Sequence, residues 1–252
     1  MSRYINYMFL GIATLSAIIL RNVMSFFIID VDSGFIRNEN LGAAVFIIIS
    51  LLLAAVTVCL LGRNNQQKRL SFTGVFPFVS SLLLGIALII SAFMPSMLPT
   101  WQKSLEALLS LAFGIYLILY IFGNTGKIKL NDILWVVPVV YWLVKLVNVF
   151  TTYSALSNTF DNVYEIFTLC SVLFFFLSLS KCLVLEAEEK NLKALNISSY
   201  LGCFMAFTCS VPKAIMVLTN NQSILGDNKS FTILLLTGVY ILSFILSNTK
   251  KQ

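Results

Sequence analysis

The chain has 252 residues, of which 58% are hydrophobic and 11% charged, with a formal net charge of +6 and a mean hydropathy of +0.90. Soluble globular domains carry roughly 25% charged residues, so this composition excludes a water-soluble fold. Histidine is absent, which removes the imidazole base, the serine–histidine hydrolases, the HExxH zinc site and the histidine-dependent intramembrane proteases.

Apolar runs recur about every 30 residues, mostly longer than the ~18 that mark a membrane-span candidate. They predict an all-α, polytopic transmembrane helix bundle in one integral membrane domain covering residues 1–252. Its eight spans lie near Tyr4–Ile29, Leu41–Leu61, Phe72–Met94, Lys103–Phe122, Asp132–Tyr153, Asn162–Leu185, Leu195–Leu218 and Phe231–Ser247. Runs this long and this continuously apolar mean helices, because a helix satisfies its own backbone in hydrocarbon. The first run exceeds what a core of ~30 Å needs, so it tilts or carries its last turn above the membrane. It is not read as a cleaved signal peptide, having only Arg3 as a basic region and an apolar stretch reaching Ile29.

Orientation follows from the bases. Arg3, Arg63, Lys68, Arg69, Lys127, Lys129, Lys181, Lys190, Lys193, Lys250 and Lys251 fall on one side, eleven of the seventeen. Arg37, Lys103 and Lys229 fall on the other, while Arg21, Lys145 and Lys213 lie within spans. The positive-inside rule makes both termini cytoplasmic, as an even number of spans also requires. The stretch EAEEKNLK after span six alternates acids and bases like a solvated helical extension. Tyr4, Tyr7, Trp101, Trp135 and Tyr153 stand near span ends as interface anchors do. The five cysteines have no metal or disulfide spacing and read as small buried hydrophobes. The Asn-x-Ser triplets beginning at Asn196, Asn221 and Asn228 read as chance.

The costly charges cluster in depth. Spans one, five and seven run outward and carry Arg21, Lys145 and Lys213 late, about one to two turns from the outer boundary. Spans four and six run inward and carry Glu106 and Glu165 early, with Asp30, Asp32 and Asp161 in adjoining turns. A charge near the bilayer centre costs ~2.5–3.5 kcal/mol, so three bases call for the nearby carboxylates. Lys145 pairing with Glu165 and Arg21 pairing with Glu106 are two such expectations.

Helical spacing sharpens the picture. Tyr141, Lys145, Asn148 and Thr152 form one stripe of span five, and Ser199, Cys203, Ala206, Ser210 and Lys213 form one of span seven. Gly11, Thr14, Arg21 and Ser25 repeat the pattern in span one, while Glu106 and Ser110 begin another in span four. Small and hydroxyl residues beside a charge suit an inward face. Pro212 predicts a kink beside Lys213. Spans two, three and eight lack interior charges and are expected to face lipid. A retinal-type Schiff base at Lys213 is disfavoured, because span three has no carboxylate for a counterion.

Leu20-Arg21 followed by Asp30-Val31-Asp32-Ser33-Gly34-Phe35 resembles the first hairpin of uncharacterised multi-span membrane proteins of low-GC Gram-positive bacteria. There an arginine near the end of the first span precedes an Asp-x-x-Ser/Thr-Gly-Phe-like turn. Asp161-Asn162 with Glu165, and the Pro212 site, are similar to later parts of that group. The resemblance implies a bacterial cytoplasmic membrane location and carries no activity with it.

The expected ligand-binding residues are Arg21, Glu106, Tyr141, Lys145, Asn148, Asp161, Glu165 and Lys213. They suit an outward-facing polar pocket for a small polar or anionic solute or ion, in a sensor or a transporter-like binder. The alternatives are an accessory membrane subunit whose ion pairs only fix helix packing, and a lipid-modifying enzyme. The last is disfavoured, since no nucleophile–base pair or metal motif is visible. The expected partners are the lipid bilayer, the solute and a further membrane subunit. Neither a cofactor nor nucleic acid is expected.

Overall fold

The computed structural model describes residues 3–29, 36–64, 74–94, 100–124, 132–156, 160–184, 188–219 and 228–247. Among these residues the protein is all-helical, with eight α-helices and no strand. They are α1 (Arg3–Val23), α2 (Leu41–Asn64), α3 (Val75–Phe93), α4 (Thr100–Asn124), α5 (Val136–Leu156), α6 (Phe160–Val184), α7 (Glu189–Leu218) and α8 (Asn228–Ser247). Six of the eight, all but α5 and α8, are long and apolar enough to cross a membrane, and α5 and α8 carry shorter apolar stretches at 136–151 and 231–247.

The surface explains that composition. Leu15 and Ile19 on α1, Phe27 just after it, Phe46 and Leu52 on α2, Phe93 on α3 and Phe167 on α6 are all more than 60% exposed. Apolar exposure spread over helix after helix is the mark of a membrane-facing surface.

α7 is the hub, packing against α6, α8, α2 and α1, while α3 packs on α4 and α8, and α5 on α4 and α6. Its stripe of Ser199, Cys203, Ala206 and Ser210 is buried, as helical spacing predicts. In-helix hydroxyls bond back to their own carbonyls, as Ser199 does to Asn196, Thr208 to Phe204 and Ser210 to Ala206. That satisfies them where no water is at hand. A layer of buried aromatics joins α4, α5, α6 and α8. Phe113 meets Phe176 edge-on at 5.4 Å, Tyr240 stacks on Phe176 at 6.0 Å, and Phe244 meets Phe175 at 5.5 Å. Each such contact adds ~0.5–1.5 kcal/mol beyond burial.

Several expectations change. α8 does not present itself to lipid: Leu234, Thr237, Tyr240, Ile241 and Phe244 are fully buried, and Ser243 hydrogen bonds Ser80 of α3 at 2.7 Å. A span without charges is recruited inward here by hydroxyls and aromatics. Trp135 is no interface anchor, because the 3-10 turn Asp132–Trp135 folds it edge-on against Tyr116 and Tyr120 of α4, where it is buried. Gly11 faces open space and leaves the α1 stripe to Arg21 and Ser25. Of the acid–base stretch before span seven, Glu189–Lys193 forms the first turn of α7, with Glu189, Lys190 and Lys193 exposed and Lys193 bonding Glu189 at 2.7 Å, while Glu186 and Ala187 lie outside the described residues. Asp30-Val31-Asp32-Ser33-Gly34-Phe35 lies outside the described residues, while Ile29 and Ile36 beside it form an isolated antiparallel bridge.

α3 crosses α4 closely where Gly85 faces Gly114. A Cβ at Gly114 would lie 2.7 Å from the Gly85 carbonyl oxygen and 2.8 Å from Ile89. Gly114→Ala is therefore expected to lower stability by ~1–3 kcal/mol, the usual penalty of overpacking. Gly11→Ala, with nothing within 4 Å, is expected to stay within about 0.5 kcal/mol of the parent. Thermal unfolding in detergent reads both.

Candidate functional site

Helices running in opposite senses bring their charged ends together. Arg21 in the last turn of α1, Glu106 in the second turn of α4, Asp161 and Glu165 in the first two turns of α6, and Lys213 late in α7 occupy one end of the bundle. α5 adds Tyr141, Lys145 and Asn148. Arg21, Tyr141, Lys145, Asn148 and Glu165 are buried, while Glu106, Asp161 and Lys213 are partly so. Thr152, the fourth member of the α5 stripe, has its side chain outside the described residues.

Two ion pairs are direct. Arg21 binds the Asp161 carboxylate, and Lys213 binds Glu165. These replace the pairings that depth alone suggested: Arg21 meets Asp161 rather than Glu106, and Glu165 takes Lys213 as its direct partner. Asp161 and Glu165 are four residues apart on one face of α6, so each can reach a different neighbour, α1 or α7. The Arg21 guanidinium also lies 4.8 Å from the ring centre of Tyr164, a cation–π distance. The Tyr164 hydroxyl pairs with Thr208 of α7 at 2.7 Å.

Backbone irregularities flank both bases. After Arg21 the helix widens into a π-turn over Met24–Ile28, closed by the Ile29 N–H donating to the Met24 carbonyl at 3.0 Å. Such turns recur near functional positions. Pro212, just before Lys213, has no N–H to give the carbonyl of Thr208 one turn earlier.

Lys145 is held differently. It lies nine residues after Val136 and eleven before Leu156, hence near the middle of α5, and six residues before Thr151, where the apolar stretch of the helix ends. Its ammonium hydrogen bonds with the Tyr141 side chain and sits 5.9 and 5.8 Å from the rings of Tyr141 and Trp142. Glu106 and Glu165 lie within electrostatic reach. Among the described residues, however, no carboxylate makes an ion-pair contact with it. Glu106 accepts a hydrogen bond from the Asn148 amide at 3.0 Å. Tyr141 continues the network to Ser110 of α4, which donates to the Leu88 carbonyl of α3 at 2.8 Å.

All eight sequence-selected residues thus fall into one connected cluster across α1, α4, α5, α6 and α7. Sequence reasoning missed Tyr164, Thr168, Thr208, Cys209 and Trp142. Cys209 touches both halves electrically, facing Arg21, Lys213 and Glu165 and hydrogen bonding Thr168. Tyr164 and Thr168 follow Asp161 at helical spacing, a signal present in the sequence. All five cysteines are free thiols. Among the described residues no three Asp, Glu or Cys side chains converge as a metal-ligand set. The chain matches no family model, and no curated protein or solved structure is significantly similar to it.

Removing one member of a buried pair strands the other. Asp161→Asn is expected to destabilise by roughly 3 kcal/mol, at the low end for a broken buried pair. Arg21→Met combined with Asp161→Leu is expected to recover most of that loss, in thermal unfolding of the purified protein.

Proposed function

We propose that the chain is an eight-span protein of a bacterial cytoplasmic membrane, with both termini cytoplasmic. Its charged cluster forms an outward-facing site that binds a small polar or anionic solute or ion, in the manner of a sensor or a transporter-like binder. The observation that carries this reading is Lys145. A buried base at mid-helix costs ~2.5–3.5 kcal/mol, and it is packed on aromatic faces without a carboxylate in ion-pair contact among the described residues. A helix lock needs a direct partner, whereas a binding group is held ready for one. Intramembrane charge with convergent polar neighbours is the usual mark of a solute path.

The second reading is an accessory membrane subunit whose charges only fix helix packing. The direct pairs Arg21–Asp161 and Lys213–Glu165 favour it, since ion pairs of this kind set register. The two readings divide on Lys145.

Lys145→Ala is expected to leave the protein folded in detergent while abolishing the thermal stabilisation that the parent gains from a panel of chloride, phosphate, acetate and amino acids. Misfolding of Lys145→Ala, with rescue by apolar replacement of Glu106, would instead favour the lock. Topology is tested separately in a cysteine-free background. Lys103→Cys is expected to react with a membrane-impermeant maleimide on intact cells, and Arg63→Cys only after permeabilisation. Both positions are exposed.

A further inference from the structure

Two opposite charges in the cluster stand apart from the direct ion pairs, and they narrow the class of solute; this step rests on the binding reading above. Arg21 with Asp161 and Lys213 with Glu165 cancel in pairs. Lys145 and Glu106 remain. Lys145 is 4% exposed, hydrogen bonds with Tyr141, and makes no ion-pair contact among the described residues. Glu106 is half-buried, and the hydrogen bond it accepts comes from the neutral amide of Asn148, at 3.0 Å.

Asn148 follows Lys145 by three residues, so the two occupy adjacent turns of one face, with Cβ atoms about 5–6 Å apart. Asn148 therefore holds the Glu106 carboxylate beside the α5 face that carries Lys145, within electrostatic reach of the ammonium but outside ion-pair contact with it among the described residues. An ammonium has three donors, of which Tyr141 occupies one, and a carboxylate has about four acceptor positions, of which Asn148 occupies one. The indole N–H of Trp142, packed against Lys145, is buried and has no hydrogen-bond partner among the described residues.

Opposite charges held near each other but out of contact discriminate sharply between solutes. A simple anion drawn to Lys145 meets repulsion from Glu106, and a simple cation drawn to Glu106 meets repulsion from Lys145. In surroundings of low dielectric these repulsions are strong. A molecule carrying both charges on a short spacer meets neither. We propose that the site takes a small zwitterion of the amino-acid or betaine class, its carboxylate on Lys145 and its cationic nitrogen toward Glu106.

The test uses the full chain in nanodiscs, with glycine, β-alanine and glycine betaine as probes and acetate, chloride and methylammonium as single-charge controls. The zwitterions are expected to raise the unfolding temperature saturably, with the controls about tenfold or more weaker, because each leaves one buried group unmatched. Lys145→Gln is expected to abolish the response to glycine. Glu106→Gln is expected to bring acetate level with glycine. Should either variant misfold, the selectivity of the parent protein alone decides. Stabilisation by acetate or chloride equal to that by the zwitterions overturns the inference and leaves solute binding standing. Silence of the parent toward every probe overturns both.

Discussion

An ionised side chain in hydrocarbon persists only where protein takes the place of its water, and that constraint sets the arrangement of five of the eight helices. The cost near the bilayer centre is ~2.5–3.5 kcal/mol per charge, and Arg21, Lys145 and Lys213 each incur part of it. Desolvation is offset only when an opposite charge or a polarisable face stands within contact. α6 supplies both carboxylates of the direct pairs from one face, Asp161 to α1 and Glu165 to α7. Tyr164 between them contributes its ring to Arg21 and its hydroxyl to Thr208. Residues 161–165 therefore fix how α1, α6 and α7 meet, more tightly than apolar packing in lipid could.

The rest of the bundle is built so that this end can close. α7 carries small residues where it is crowded, and at Gly62 of α2 the backbone of Asn196 and Ile197 approaches so closely that a Cβ would lie 2.9 Å from the Ile197 Cα. The aromatic layer of Phe113, Trp142, Phe176 and Tyr240 is fully buried, and Trp142 belongs both to it and to the surroundings of Lys145. That layer gives Lys145 its burial without giving it a counter-charge. The π-turn after Arg21 and the missing amide at Pro212 lie next to the two bases that are directly paired. Irregular backbone thus accompanies charge on α1 and α7, while α5 stays regular beside Lys145.

Depth along each helix was legible in the sequence, and so was the face on which each charge lies, because both follow from counting along a 3.6-residue repeat. Tyr141, Lys145 and Asn148 share a buried face for that reason, as do Ser199, Cys203, Ala206 and Ser210. Partner choice was not legible. Lys145 and Lys213 both reach toward Glu165, and a sequence carries no information on which helix stands beside which. Arg21 went to Asp161 because α1 and α6 both pack on α7, a neighbourhood set by packing. The inward position of α8 escaped notice because absence of charge was taken as lipid exposure, although Thr237, Ser243 and Tyr240 make an inward face of their own. Trp135 escaped because a 3-10 turn, not the helix, directs it. Tyr164 and Thr168 were findable, lying three and seven residues after Asp161 on its own face.

The energetics of buried ion pairs bear on what such a cluster is for. Apolar replacement of a buried pair is often neutral or stabilising by ~1–4 kcal/mol, so a bundle needing only register has cheaper solutions than three bases and three acids. Two direct pairs already join α1, α6 and α7. Adding Lys145 at the middle of α5 contributes no further direct pair among the described residues, and Glu106 is occupied with Asn148. A purely structural account therefore explains four of the six charges and leaves Lys145, buried in α5, as a cost without a return. A binding account explains the remaining two charges by what they leave available: an ammonium and a carboxylate held out of ion-pair contact among the described residues, fixed by Tyr141 and Asn148, and braced by two pairs that do not need to move.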